Sequence, residues 1–156
     1  MSVVIDPNGL VDRAFLGVPY KKNGRSLKGA DCVGLCMLYL AAHGVNYSDI
    51  DSKERGTLQH WYETQPARFV DAFLNMGALV RFADLRKFDV LLFFSSEAVS
   101  KFPTGMGIMV DSRHFLGVLR EGEESSVRML NIHWKALFWG AMRLHRVADK
   151  GLVSWD

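Results

Sequence analysis

The sequence predicts an α+β fold, with helices of the N-terminal half packed on an antiparallel sheet of about five strands. Three observations carry this expectation. Apolar residues recur at helical spacing in the first half and then give way to short apolar runs separated by turn residues. The strongest helical stretch lies between Asp31 and Gly44, residue types that start and stop helices. With 156 residues, 49% of them hydrophobic, the chain is long enough for one domain with a continuous core.

The first expected helix covers Gly9–Leu16, with Leu10, Val11, Ala14 and Phe15 at helical spacing, and Gly17-Val18-Pro19-Tyr20 ends it. A polar, glycine-containing loop follows through Gly29. The second helix is expected to use Asp31 as N-cap and Gly44 at C′. Its Val33, Leu35, Met37, Leu38, Leu40 and Ala41 are apolar almost all round, which suits a central, buried helix. The stretch from Asn46 to Gln65 reads as a loop with room for a short helix. Pro66 and Gly77 bracket a third helix, Pro66–Met76. Asp89–Phe94 suits a buried strand. Gly107–Val110 and His114–Leu119 flank Asp111-Ser112-Arg113 as a hairpin, and Ser126–Ile132 and Ala141–Val147 are further strands. The sequence contains no internal repeat and no low-complexity segment.

A formal charge of +2 argues against nucleic-acid or anionic-membrane partners. The pairs Lys21-Lys22 and Arg86-Lys87 read as solvated. No apolar stretch approaches the roughly 20 residues of a membrane helix, so no direct membrane insertion is expected. Met1–Pro7 lacks the basic and apolar regions of a secretory signal, which places synthesis in a cytoplasm. Cys32 and Cys36 are four apart, a spacing that does not favour a disulfide on a helix, and reduced thiols are expected. Cys32, Cys36 and His43 match no standard zinc spacing, and neither metal nor other cofactor is expected.

The run Gly29-Ala30-Asp31-Cys32-Val33-Gly34-Leu35 puts a thiol at a helix start, beside free backbone N–H groups and the positive end of the dipole. Such a place favours the thiolate, and the same N–H groups can stabilise an oxyanion. Gly29 and Gly34 are expected to let the backbone approach a substrate closely. From these residues alone, a buried structural cysteine is the commoner outcome for Cys32, and Cys36 reads as structural.

Phe15-Leu16-Gly17-Val18-Pro19-Tyr20, then Asn23-Gly24-Arg25, then Gly29–Leu35 resemble the NlpC-type papain-like cysteine peptidases, which are cell-wall endopeptidases. Val33 after the cysteine and the Gly24-Arg25-Ser26 segment resemble the phage tail-assembly, or tail-tip, branch. Asp89–Phe94 is similar to the family's Gly-Asp-Val-Leu-Leu-Phe strand, with Phe88 in place of the glycine. Trp134 and Gly140-Ala141-Met142-Arg143 resemble the closing segment. The match spans roughly residues 10 to 146 and implies a single NlpC-like domain over residues 1–156. By resemblance Cys32 takes the nucleophile position next to Asp31. Tyr20 takes a position that shapes the substrate site, a packed turn aromatic being the alternative.

The family's base is a histidine opening a His-x-Gly-Ile-x strand. Here Gly105-Met106-Gly107-Ile108-Met109 matches it, so Gly105 holds the place of the base. The residue that orients the base lies twelve positions on, at Gly117. A hairpin about Asp111–Arg113 would set the two glycines near each other and leave the pocket empty of both partners. The leaving amine of an amide then has no acid to protonate it. Among the five histidines, His60 in Gln59-His60-Trp61-Tyr62 is the weak substitute. His114 is expected opposite Met109, too far along the strand. His133 reads as a surface or satisfied residue and His145 as structural, while His43 ends a helix where a cation suits the dipole. Trp61-Tyr62 and Phe138-Trp139 are interface anchors or core.

The expected function is a catalytically degenerate assembly protein at the tip or hub of a phage tail or tail-like particle, located in that particle, with tail-tip and hub proteins as partners. The alternative is an active peptidoglycan stem-peptide endopeptidase that aids genome entry, with a base such as His60. A third reading is a module that holds stem peptides without cutting them.

Overall fold

The computed structural model describes residues 9–46, 66–94, 103, 105–145 and 147. In it one helix lies against one face of a six-stranded antiparallel sheet. The elements are β1 (Arg25–Ser26), β2 (Gly29–Ala30), α1 (Cys32–Ala42), α2 (Pro66–Leu74), β3 (Gly77–Val80), β4 (Val90–Phe93), β5 (Gly105–Met109), β6 (His114–Gly117), β7 (Ser126–Met129), α3 (Ile132–Leu137) and β8 (Phe138–Leu144). Strands β1 and β2 form a separate ribbon. The large sheet runs β3-β8-β4-β5-β6-β7, so β4 to β7 is a meander and β8 returns to lie between β3 and β4. This is the expected α+β class with one strand more.

Alternation along the strands sorts the core into two layers. Val90, Leu92, Met106, Ile108, Leu116, Val127 and Met142 join Val33, Leu35, Tyr39 and Leu40 of α1. The opposite face carries Leu91, Phe93, Met109, Phe115 and Ala141, covered by Trp134, Leu137 and Phe138. There the rings of Phe93, Phe115 and Trp134 stand 5.1 to 5.3 Å apart, a spacing that favours edge and tilted aromatic pairs. Helix α1 stops as expected: Gly44 takes φ +80°, its N–H reaches Ala41 O, and the Val45 N–H reaches Leu40 O. These two bonds satisfy the last carbonyls in a Schellman arrangement.

Several elements differ from expectation for identifiable reasons. The first helix is only a 3-10 turn, Arg13–Phe15, capped by Asp12 on the Ala14 N–H. Beyond it the chain is drawn out by residues 123–125. Gly17 N donates to Ser125 O, Val18 N to Ser125 Oγ, and Tyr20 N to Glu123 O. The buried Ser125 Oγ in turn donates to Phe15 O. Helix α2 ends at Leu74, and Gly77 opens β3 rather than closing the helix. That strand escapes its own sequence because it is half polar in environment, with Ala78 and Leu79 exposed. His114 faces Val110, whose N–H donates to His114 O, not Met109. His60 and Trp61-Tyr62, and most of the loop read between Asn46 and Gln65, lie outside the described residues.

Phe88 shows why the resembled family carries glycine at this position. Its φ is +74°, a left-handed value that costs a side-chain-bearing residue about 1–2 kcal/mol. The ring is buried against Tyr39 (5.9 Å) and His43 (4.9 Å). Burial of such a ring gives about 1.5–3 kcal/mol, enough to hold the strained backbone. Next to it, buried Asp89 accepts from Arg143 Nε at 3.0 Å, from Arg143 Nη2 at 2.8 Å and from Arg86 N at 2.9 Å. This fork ties the start of β4 to β8.

Two outcomes are expected. Asp89→Ala strands the Arg143 guanidinium and should lower the unfolding free energy by about 3 kcal/mol in urea titration. His43, expected to be a favourable cation, is instead held toward its neutral form: burial lowers its pKa below 6.5, and Lys87 lowers it further. A histidine with a depressed folded pKa stabilises above its unfolded pKa, and that contribution is lost as pH falls below about 6.5. Between about pH 7.5 and 5 the wild type should therefore lose more stability than His43→Gln; equal losses would contradict the assignment.

Candidate functional site around Cys32

The first turn of α1 is organised by Asp31. Its carboxylate is fully buried, and Oδ1 accepts from Gly34 N at 2.8 Å and from Arg25 Nη1 at 2.7 Å. Oδ2 accepts from Asn23 N at 3.1 Å. Arg25 Nη1 also donates to Gly24 O at 2.9 Å. One side chain thus caps the helix, pairs with a cation on β1 and fixes the loop between them. Asn23 stands at φ +57°, a conformation that asparagine tolerates.

Glycine serves this packing rather than a ligand. A Cβ on Gly34 would overlap Gly24 O, and one on Gly24 would overlap Gly29 O. A Cβ on Gly29 would come within 2.9 Å of Lys21 Cβ. Gly34 lets Gly24 O lie directly on α1, and Gly29 leaves room for the Lys21 side chain. Gly24 and Arg25 have structural roles that their sequence does not announce, because an arginine in a polar loop looks solvated until its carboxylate partner is located.

Cys32 opens the helix at 2% exposure, inside the α1-facing core. Cys36 lies one turn deeper, and neither cysteine is in a disulfide. Burial pushes the Cys36 thiol well above its usual range, with Cys32 and Asp31 adding to the effect, so Cys36 stays protonated and inert. Tyr20 is half-buried; its backbone bridges to Ala30, and its side chain packs on the same core. The structure therefore gathers Tyr20, Asp31 and Cys32 at one place.

Gly105 and Gly117 lie on the other register of the sheet. Gly105 is the direct partner of Phe93. The pairs Ile108↔Leu116 and Met109↔Phe115, carried on along the ladder, set Gly117 against Gly107 and Gly105 against Leu119. The two glycines are thus offset diagonally. A Cβ at 105 would sit 3.4 Å from Leu119 Cδ2, and one at 117 would sit 3.8 Å from the same methyl and 3.3 Å from Phe115 Cε2. A Leu119 methyl thus lies at contact distance from both positions, and the Phe115 ring borders Gly117.

The described histidines are dispersed. His43 ends α1, eleven residues and about 16 Å from Cys32. His114 Nδ1 lies 3.0 Å from Asp111 Oδ2 at the hairpin turn. Burial pushes Asp111 up, but N–H groups of Arg113 and His114 and the His114 ring outweigh it, and its carboxyl lies below the usual range. His133 is exposed on α3, and His145 is exposed just beyond β8. Among the described residues no three His, Cys, Asp or Glu side chains are grouped to hold a metal, and no helix is long and apolar enough to cross a membrane.

No protein-family model matches the chain, and no curated protein matches it in sequence. Solved structures share its fold. An NlpC/P60 family protein from Bacillus cereus ATCC 10987 superposes with a TM-score of 0.60 at 20% identity, over 91% of this chain and 41% of that one. A lipoprotein-like NLP/P60 family protein from Staphylococcus aureus subsp. aureus Mu50 gives 0.55 at 15%, over 91% and 43%. The NlpC/p60 domain of the peptidoglycan hydrolase SagA gives 0.54 at 17%, over 90% of this chain and 100% of that domain. The chain spans less than half the length of the first two. At these identities the likeness establishes the fold, which is that of NlpC/P60 domains.

Asp31→Ala removes the cap and leaves Arg25 without its carboxylate, and should cost about 3–5 kcal/mol in chemical unfolding. Asp31→Asn keeps an acceptor for the Gly34 N–H and should cost less. Equal effects of the two would show that charge pairing contributes nothing.

Proposed function

We propose that this chain is a non-hydrolytic module on an NlpC/P60 fold, serving assembly at the tip or hub of a phage tail or tail-like particle. The observation that carries the non-hydrolytic part is the absence of an ionisable side chain at Gly105 and Gly117, the positions to which the resemblance assigns the acid–base pair. Thiol attack on an amide needs a nucleophile, donors for the oxyanion and an acid for the leaving amine. The start of α1 offers a thiol and a helix N-terminus. The strand positions where the resemblance places the acid–base pair offer no side chain. Lack of a positioned acid–base group removes about two to four orders of magnitude in rate.

The motif around Cys32 does not require chemistry to explain it. Asp31 holds Arg25, Gly34 admits Gly24 O, and Cys32 fills core. The tail assignment is supported by Val33 after the cysteine and by Gly24-Arg25-Ser26, the features similar to the phage branch. The partners on this reading are tail-tip and hub proteins, and the place of action is the particle.

Purified muropeptides incubated with wild type and with Cys32→Ala should give no new products by mass spectrometry in either case. Products from wild type alone would overturn the non-hydrolytic reading. Removal of the gene should leave tails absent or malformed in electron micrographs; well-formed tails would overturn the assembly role.

A further inference from the structure

The sheet face turned away from α1 is covered by α3, a helix of only six residues, and that cover leaves apolar side chains in solvent. Ile132, its first residue, is 84% exposed, and Met129, at the end of β7, is 60% exposed. They lie three residues apart, joined by the turn in which Asn131 N donates to Met129 O. On the same short helix Trp134 is half-buried, its ring packed edge-on against Phe93 and Phe115. Beside them stand two exposed cations, Arg113, whose carbonyl accepts from Leu130 N, and Lys135.

The charges are one-sided. From Ser125 to Val147 the sequence contains no aspartate or glutamate. Of the carboxylates nearby, Glu123 pairs with Arg128 and Arg120, Asp111 with His114, and Asp84 with Arg81. Arg113 and Lys135 have no carboxylate within ion-pair distance among the described residues, and Lys135 Nζ instead lies 5.3 Å from the Phe82 ring. An exposed aliphatic pair beside a half-buried tryptophan, flanked by uncompensated cations, has the make-up of a protein-docking patch with a positive rim.

We infer that the Met129–Ile132 surface docks a partner polypeptide that presents aliphatic side chains flanked by carboxylates. The charge selects against a second copy of this chain, whose matching surface would bring like charges together. Two uncompensated cations are too few to hold a nucleic-acid backbone or an anionic bilayer by charge, whereas the exposed isoleucine and methionine demand apolar contact. This inference rests on the reading of the chain as an assembly module, and it uses a surface on the face opposite Cys32.

The test is selection of displayed random peptides against the whole chain, followed by binding titration of the enriched sequences. Enrichment of sequences combining Asp or Glu with Leu, Ile or Phe is expected. Their binding should fall at least ~10-fold with Ile132→Asp and measurably with Lys135→Glu, and be unchanged by Leu79→Asp, a control on exposed β3. All three positions are exposed, and thermal unfolding of each variant checks that folding is retained. Enriched sequences without carboxylates, no enrichment, or binding insensitive to Ile132→Asp would overturn the inference. So would concentration-dependent dimerisation, or binding to phosphatidylserine vesicles or a single-stranded oligonucleotide, that Ile132→Asp abolishes. Failure here leaves the muropeptide result untouched, and Cys32-dependent cleavage would remove the assembly reading whatever the peptides show.

Discussion

The buried carboxylate of Asp31 is the constraint on which the rest of the Cys32 region depends. It is withdrawn from water, yet its two oxygens receive a helix N–H, a guanidinium and a loop N–H. An unpaired buried charge would be prohibitive, so these partners are obligatory rather than incidental. Their demand reaches outward. Arg25 must come from a strand lying against α1, that strand must approach within backbone contact, and only glycine at 24 and 34 permits it. Packing and hydrogen bonding around Asp31 thus fix the surroundings of Cys32.

The two faces of the sheet are packed differently. On the α1 side, Val90, Ile108, Leu116 and Met142 continue the core. On the other side, Gly105, Gly107 and Gly117 lie beside Phe93 and Phe115. Phe115 lies so close that a Cβ at Gly107 would come within 2.8 Å of its ring. Two polar groups buried there would each need partners. Glycines there need none.

Much of this was legible in the residues. Asp31 and Gly44 marked both ends of α1 because capping is a local rule that tertiary contacts seldom override. The Asp111–Arg113 hairpin was likewise local. The first helix shrinks to Arg13–Phe15, where Asp12 caps the turn and Ser125 Oγ, 110 residues away, takes the Phe15 carbonyl. Strand β3 was missed because its alternation is blurred by exposed Ala78 and Leu79. At the candidate site, the residue types were readable but their partners were not. Arg25 with Asp31, and Leu119 with Gly105 and Gly117, are pairings that only the fold brings together.

The hydrogen bonds from Ser125 to Phe15 and Val18 join residues 110 and 107 positions apart. A ribosome adds about 5–20 residues per second. The Gly17–Tyr20 segment therefore waits roughly 5–20 s after its own synthesis before its pairing strand exists. For that time the apolar α1 sequence has emerged while the sheet that will cover it has not. Non-local closure of this kind is slow and exposes hydrophobic surface, so the late-made residues around Ser125 control when the chain becomes safe from aggregation.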